Sequence, residues 1–214
     1  MTRDDQKRAA AEAALEYVEP GSTIGVGTGS TAAFFIKRLA GPAVPSSDAT
    51  AVALRHAGIR VVGLEDALPL PIYVDGADEV DPELRLIKGG GGAHAREKVL
   101  ASAAERFVCI VDETKLVERL GAAPVPLAVL PMAAAYVAER VRMLGGNPAA
   151  RPGFMTDDGA AVLDVSGLDL TDPERLEAEL EAIPGVVASG LFTHRRADVV
   201  LVGAPSGVQI LRRG

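Results

Sequence analysis

Lys88-Gly89-Gly90-Gly91-Gly92, with Glu97 five residues further on inside Arg96-Glu97-Lys98, puts an ammonium, a run of backbone amides and a carboxylate on one short stretch. Four consecutive glycines are conformationally costly, so their backbone is expected to approach something closely. Lys88 can polarise a carbonyl oxygen, and the glycine N–H groups can hold a developing oxyanion. Glu97, in the first turns of a helix read over residues 93–105, can reach the same space as a base. Its place near a helix N-terminus and beside cations favours the ionised form that this role needs. A bland alternative makes residues 96–98 an ordinary solvated charge triplet.

Two further clusters carry chemistry. Gly25, Gly27 and Gly29, followed by Ser30 and Thr31, stand where a strand hands over to a helix, so amides and hydroxyls converge there as an anion cradle suited to phosphate. Ser30 occupies the place of the third glycine of a dinucleotide fingerprint, and no Gly-Lys-Ser/Thr follows. A glycine-rich turn with a Ser or Thr cap is the competing reading. Asp75-Gly76-Ala77-Asp78-Glu79 follows the apolar run 72–74, at the carboxyl end of a strand, where open α/β sheets bind ligands. Mutual repulsion in such a cluster raises a carboxyl pKa and suits a proton donor or a hydroxyl acceptor. A solvated acidic turn or an oxygen-ligand metal site fits the same residues. Together the three clusters supply a base, an electrophile and a phosphate handle, the parts that turn a phosphorylated aldose into a ketose.

The elements that must position these groups alternate. Helical spacing of apolar residues covers residues 4–18, and strands are expected at residues 23–26, 59–62, 72–74 and 107–111. Helices are expected at residues 32–39, 49–56 and 93–105. This order predicts an α/β fold with a doubly wound, mostly parallel, Rossmann-like sheet. After Gly121 the pattern changes. A strand at residues 124–130, a helix at 132–144, a hairpin about Asp157-Asp158-Gly159, a helix capped by Thr171 or Asp172 and a strand at 186–191 predict a second, smaller α+β domain. The domains are placed at residues 1–124 and 125–197, with residues 198–214 returning to the first.

Composition narrows the partners. With 22 Lys plus Arg against 29 Asp plus Glu, the net charge of −7 disfavours nucleic acid and anionic membranes, so an anionic substrate needs a local positive pocket. Cys109, the only cysteine, excludes internal disulfides and cysteine zinc sites. The uncharged stretch 122–138 is broken by Pro124, Pro126 and Pro131 and does not read as a membrane span. The charged start, Met1 to Arg8, has no apolar core of signal-peptide type, and a cytoplasmic protein is expected.

Gly27-Thr28-Gly29-Ser30-Thr31, Asp75-Gly76-Ala77-Asp78-Glu79, Lys88-Gly89-Gly90-Gly91 with Arg96-Glu97-Lys98, and residues 112–115, in that order, resemble ribose-5-phosphate isomerase type A. The likeness runs through nearly the whole chain, including Ser46-Ser47-Asp48, Leu144-Gly145-Gly146 and Ile183-Pro184-Gly185-Val186-Val187. The resemblance implies interconversion of ribose 5-phosphate and ribulose 5-phosphate through an enediol, in the pentose phosphate pathway, with no metal and no cofactor. It implies Glu97 as proton acceptor, Asp75 as an aid to ring opening, and substrate contacts at Thr28, Gly29, Ser30, Thr31, Asp75, Gly76, Ala77, Asp78, Lys88, Gly89, Gly90, Gly91 and Lys115. A homo-oligomer, dimer or tetramer, is implied by the same likeness. Three departures stand out: a short connection at residues 41–45, the extra Gly92, and His94 where an apolar residue is usual. His94 is expected to be a partly exposed helix residue, with a place on the site rim and titration near neutrality as the alternative. Two other function classes are a sugar-phosphate sensor, though no helix-turn-helix precedes the cradle, and acyl transfer to coenzyme A through Glu97.

Overall fold

Thr2 starts the first helix. Its hydroxyl accepts from the Asp5 amide while the Asp5 carboxylate accepts from the Thr2 amide, a capping box that satisfies two otherwise open donors. The helix Arg3–Ala13 continues as a 3₁₀ turn, Ala14–Tyr17, and buries Ala10, Ala11 and Ala14 against the sheet. Small side chains allow a close approach, and Gly203 completes it: a Cβ there would overlap the Gln6 main chain. The structure is a computed structural model describing residues 1–213.

Contacts divide the chain into two units, one of residues 1–77, 99–116 and 197–214, the other of residues 78–98 and 117–196. The first unit holds a six-stranded sheet. Its order is Gly207–Arg212, Val199–Ala204, Ala104–Asp112, Leu70–Asp75, Ile24–Val26, Ala43–Pro45, with only the first of these antiparallel to its neighbour. Continuous apolar runs such as Phe107 to Val111 suit strands covered on both faces. From Ile24–Val26 the chain winds first to Ala43–Pro45 on one side and then to Leu70–Asp75 on the other. The strand order therefore reverses at the carboxyl ends of Ile24–Val26 and Leu70–Asp75, the point at which doubly wound sheets bind ligands.

Two local expectations are corrected, and one strand is new. Residues 59–62 form no strand but one bridge, Val61 to Ala43, and the sheet edge is instead the segment 43–45, too short to show an alternating pattern. The stretch 186–191 is two elements, Val186–Ser189 and Leu191–Phe192, in different sheets, separated by Gly190. The edge strand Gly207–Arg212 was not foreseen: Val208, Ile210 and Leu211 do not alternate with polar residues, and the strand is nowhere fully buried.

The second unit is built on an antiparallel sheet ordered Val186–Ser189, Val125–Val129, Ala161–Ser166, Asn147–Met155. Helices Ala134–Met143 and Pro173–Glu181 pack their apolar stripes, Val137, Val141, Leu176 and Leu180, against Val125, Leu127, Val129 and Leu163. Asp172 caps the second helix, accepting from the Arg175 amide. The hairpin turns at Gly159, φ +75°. A small three-stranded sheet, Leu191–Phe192, Leu86–Ile87, Glu79–Val80, sets Asp78 immediately before one strand and Lys88 immediately after another.

Candidate active site

In the first unit the cradle loop is tied to the switch point. The Gly27 amide donates to the Val74 carbonyl, and the Thr28 amide donates to Asp75 Oδ1 at 3.0 Å. Asp75 is fully buried; Oδ1 also accepts from the Gly76 amide at 2.7 Å, and Oδ2 accepts from the Tyr73 hydroxyl. A Cβ on Gly27 would overlap the Asp75 carboxylate, so glycine is required by the approach of that acid. The Thr28 hydroxyl meets those of Ser47 and Thr50, and Thr50 donates to the Gly27 carbonyl at 2.9 Å. Ser47 also caps the helix Asp48–His56 through the Thr50 amide. The Thr28 side chain thus fixes the loop, and Ser47 and Thr50 support it; only the likeness of Ser46-Ser47-Asp48 signalled this in sequence.

The rest of the loop faces a cation that motif reading missed. Lys7 Nζ stands 3.0 Å from Ser30 Oγ, while Gly29 turns the chain at φ +113° before the short helix Ser30–Ile36, in which Thr31 is half-buried. One residue earlier, Gln6 donates to Glu113 at 2.7 Å, in the 3₁₀ turn Glu113–Lys115 that ends at Lys115 and is capped by Asp112. One helix face therefore touches both the cradle and the Lys115 turn. Lys7 looks in sequence like any lysine of an amphipathic helix, and only the packing of that helix gives it this place.

In the second unit Lys88 Nζ lies 3.2 Å from Glu97 Oε2, with the side chains 3% and 6% exposed. The Lys88 backbone is locked, its amide donating to the Gly190 carbonyl at 2.9 Å, and a side chain at Gly190 would collide with the Lys88 carbonyl and Pro126. The Phe192 ring lies 5.6 Å from the Lys88 ammonium and 5.0 Å from that of Lys98. Lys98 turns to Glu177, at 2.6 Å, and to Glu181, and Arg96 to the hairpin acids Asp157 and Asp158. The three charges of residues 96–98 thus turn to three separate groups of partners, and the solvated-triplet alternative fails for Glu97.

The glycine run is a closed turn, with the Gly92 amide bonded to the Gly89 carbonyl and the Gly90 amide to Asp78 Oδ2 at 2.8 Å. Gly89 and Gly92 sit at φ +103° and +78°, and their Cβ positions are taken by His94 and Phe154. Glu79 accepts from the Gly121 and Ala123 amides. Asp75, Asp78 and Glu79 therefore serve three separate backbone segments rather than crowding one loop.

His94 corrects its expectation. It is fully buried, and burial, then the charge of Lys98, lower its pKa to about 4; the Ala188 backbone opposes them, and Arg151 and Lys88 add smaller lowering effects. The imidazole is neutral at neutral pH and packs on Gly89, neither exposed nor titrating near pH 7.

No group of three or more His, Cys, Asp or Glu suited to a metal occurs among the described residues, and no described helix is long and apolar enough to cross a membrane. A family model described as ribose 5-phosphate isomerase A (phosphoriboisomerase A) matches residues 42–207. The chain belongs to the ribose 5-phosphate isomerase A family. Ribose-5-phosphate isomerase A of Acidithiobacillus ferrooxidans is 50% identical over 97% of this chain and 98% of that protein. The crystal structure of ribose 5-phosphate isomerase A from Neisseria gonorrhoeae superposes with a TM-score of 0.96 at 42% identity, covering 100% of this chain and 98% of that one. A D-ribose-5-phosphate isomerase solved with phospho-erythronic acid gives 0.95 at 36% identity, with both chains fully covered. Membership in the isomerase A family makes this chain an isomerase, and its α/β fold with a second sheet domain is the family's fold.

Proposed function

We propose that this isomerase interconverts D-ribose 5-phosphate and D-ribulose 5-phosphate through an enediolate, with Glu97 as the general base. Glu97 takes the proton from C2 of the open-chain aldose, and the C–H electron pair becomes the C1–C2 double bond. Negative charge collects on O1, where Lys88 and the glycine-run amides stabilise it. The proton then goes to C1 while the hydroxyl proton of O2 moves to O1, leaving the ketone at C2. A carboxylate is a weak base against such a carbon acid, so the reaction depends on this stabilisation. The observation that carries the reading is the contact between Lys88 and Glu97, both buried, in a chain of this family.

The phosphate is assigned to Gly29, Ser30, Thr31, Lys7 and Lys115, with Thr28 shaping the loop. Asp75 is assigned to ring opening, and Gly76, Ala77 and Asp78 to the sugar hydroxyls. The relative solved with phospho-erythronic acid supports this ligand class, because that compound is itself a phosphorylated sugar acid. The reading includes turnover without added metal or cofactor, a cytoplasmic place in the pentose phosphate pathway and a homo-oligomer. Its test is ribulose 5-phosphate formation in excess chelator by the wild type and by Glu97→Gln. The variant should stay folded and lose roughly 10³-fold or more in kcat; full activity would remove Glu97 from the role, and loss of wild-type activity in chelator would refute the metal-free part.

A further inference from the structure

We propose that Arg151, on the hairpin strand Asn147–Met155, is a positioning residue for the oxyanion-binding backbone of the glycine run. The inference deepens the isomerase reading and rests on it. Arg151 donates from Nη1 to the Gly90 carbonyl at 3.1 Å and from Nη2 to the Gly89 carbonyl at 3.5 Å. Behind it, Asp164 holds the guanidinium bidentately, at 2.9 Å to Nε and 2.5 Å to Nη2, and the Phe154 ring lies 5.0 Å from its centre. Phe154 in turn fills the space where Gly92 has no side chain. The guanidinium is thus fixed by charge and by packing, and its fork is delivered to two successive peptide units.

Peptide planarity gives this contact a consequence. In a trans peptide the C=O and the following N–H point in opposite directions, and the only cis bond among the described residues is Leu68-Pro69. With the Gly89 and Gly90 carbonyls drawn to Arg151, the amides of Gly90 and Gly91 must leave on the side away from it. The first does so, since Gly90 N–H reaches Asp78 Oδ2 at 2.8 Å. Gly91 N–H, the next donor, is presented by the same constraint. A charge-assisted bond to a carbonyl also polarises its peptide unit and strengthens the N–H at the other end. Glycines could not hold this geometry alone, because each lost side chain widens the conformations open to the loop. The hairpin of the smaller unit thereby acquires a role in the chemistry without touching substrate.

The test compares Arg151→Met and Arg151→Lys with the wild type. Four quantities are measured: kcat, KM, inhibition by inorganic phosphate, and inhibition by a phosphorylated four-carbon hydroxamate that mimics the enediolate. Arg151→Met should lose roughly ten- to thirty-fold in kcat, less than removal of a whole oxyanion donor. KM and phosphate inhibition should change less than about twofold, the hydroxamate should weaken by the same factor as kcat, and Arg151→Lys should recover part of both. If Arg151→Met fails to fold, Asp164→Asn, which loosens the fork but keeps it, should show the same pattern at roughly threefold. A folded Arg151→Met with wild-type kcat, or a loss that leaves hydroxamate binding unmoved, overturns the inference while the isomerase reading stands. A wild type that does not turn over ribose 5-phosphate overturns the isomerase reading and the inference with it.

Discussion

Lys88 and Glu97 form a buried ion pair across nine residues, one at the end of the short strand Leu86–Ile87 and the other in the first turn of the helix His94–Ala103. Neither group is solvated well enough to lose the other cheaply. Lys88→Met should lower kcat by at least a hundredfold and, by leaving a carboxylate buried without its cation, destabilise the fold by about 3 kcal/mol. Lys88→Met combined with Glu97→Gln should be more stable than Lys88→Met alone. Thermal unfolding of the two singles and the double checks this, and additive losses would count against a coupled pair.

Gly27 and Gly29 separate crowding from backbone strain. Gly27→Ala sets a methyl into the Asp75 carboxylate and should cost about 2 kcal/mol or more, with a raised KM as the loop shifts. Gly29→Ala meets nothing within 4 Å but forces φ +113° on alanine, and should cost about 1–2 kcal/mol. Denaturant midpoints give both values.

His94 makes the fold acid-sensitive. Its folded pKa, about 4, lies below the ordinary 6.5, so between these values the unfolded chain binds more protons than the folded one, and stability rises with pH across the window. The loss on acidification should begin near pH 6.5 and level off near pH 4. His94→Leu, which has no proton to gain, should flatten that limb in unfolding measurements from pH 4 to 7, and an unchanged limb would refute the assignment.

Lys7→Gln should raise KM for ribose 5-phosphate about tenfold, with kcat nearly unchanged, because the ammonium beside Ser30 would meet phosphate equally in the ground and transition states. Weaker inhibition by inorganic phosphate would accompany it. An unaltered KM would take Lys7 out of the cradle.

Alternation of apolar runs with glycine-bounded helices was enough to specify a parallel α/β sheet and a second α+β unit, because periodicity and turn chemistry are local. It failed at residues 43–45, a strand of three residues that carries no period, at residues 59–62, whose apolar run makes only one bridge, and at Gly207–Arg212, whose apolar residues do not alternate with polar ones. Residue type and spacing alone also marked Glu97, Lys88, the glycine run and the Asp75 loop, since charged groups beside costly glycines are visible without coordinates. What tertiary structure decided is which partner each group meets. Burial made His94 neutral, a helix crossing brought Lys7 to Ser30, a hairpin fold brought Arg151 to Gly90, and Asp75, Asp78 and Glu79 were dispersed to three backbone segments. Those outcomes depend on contacts between residues distant in the chain, which no local pattern encodes.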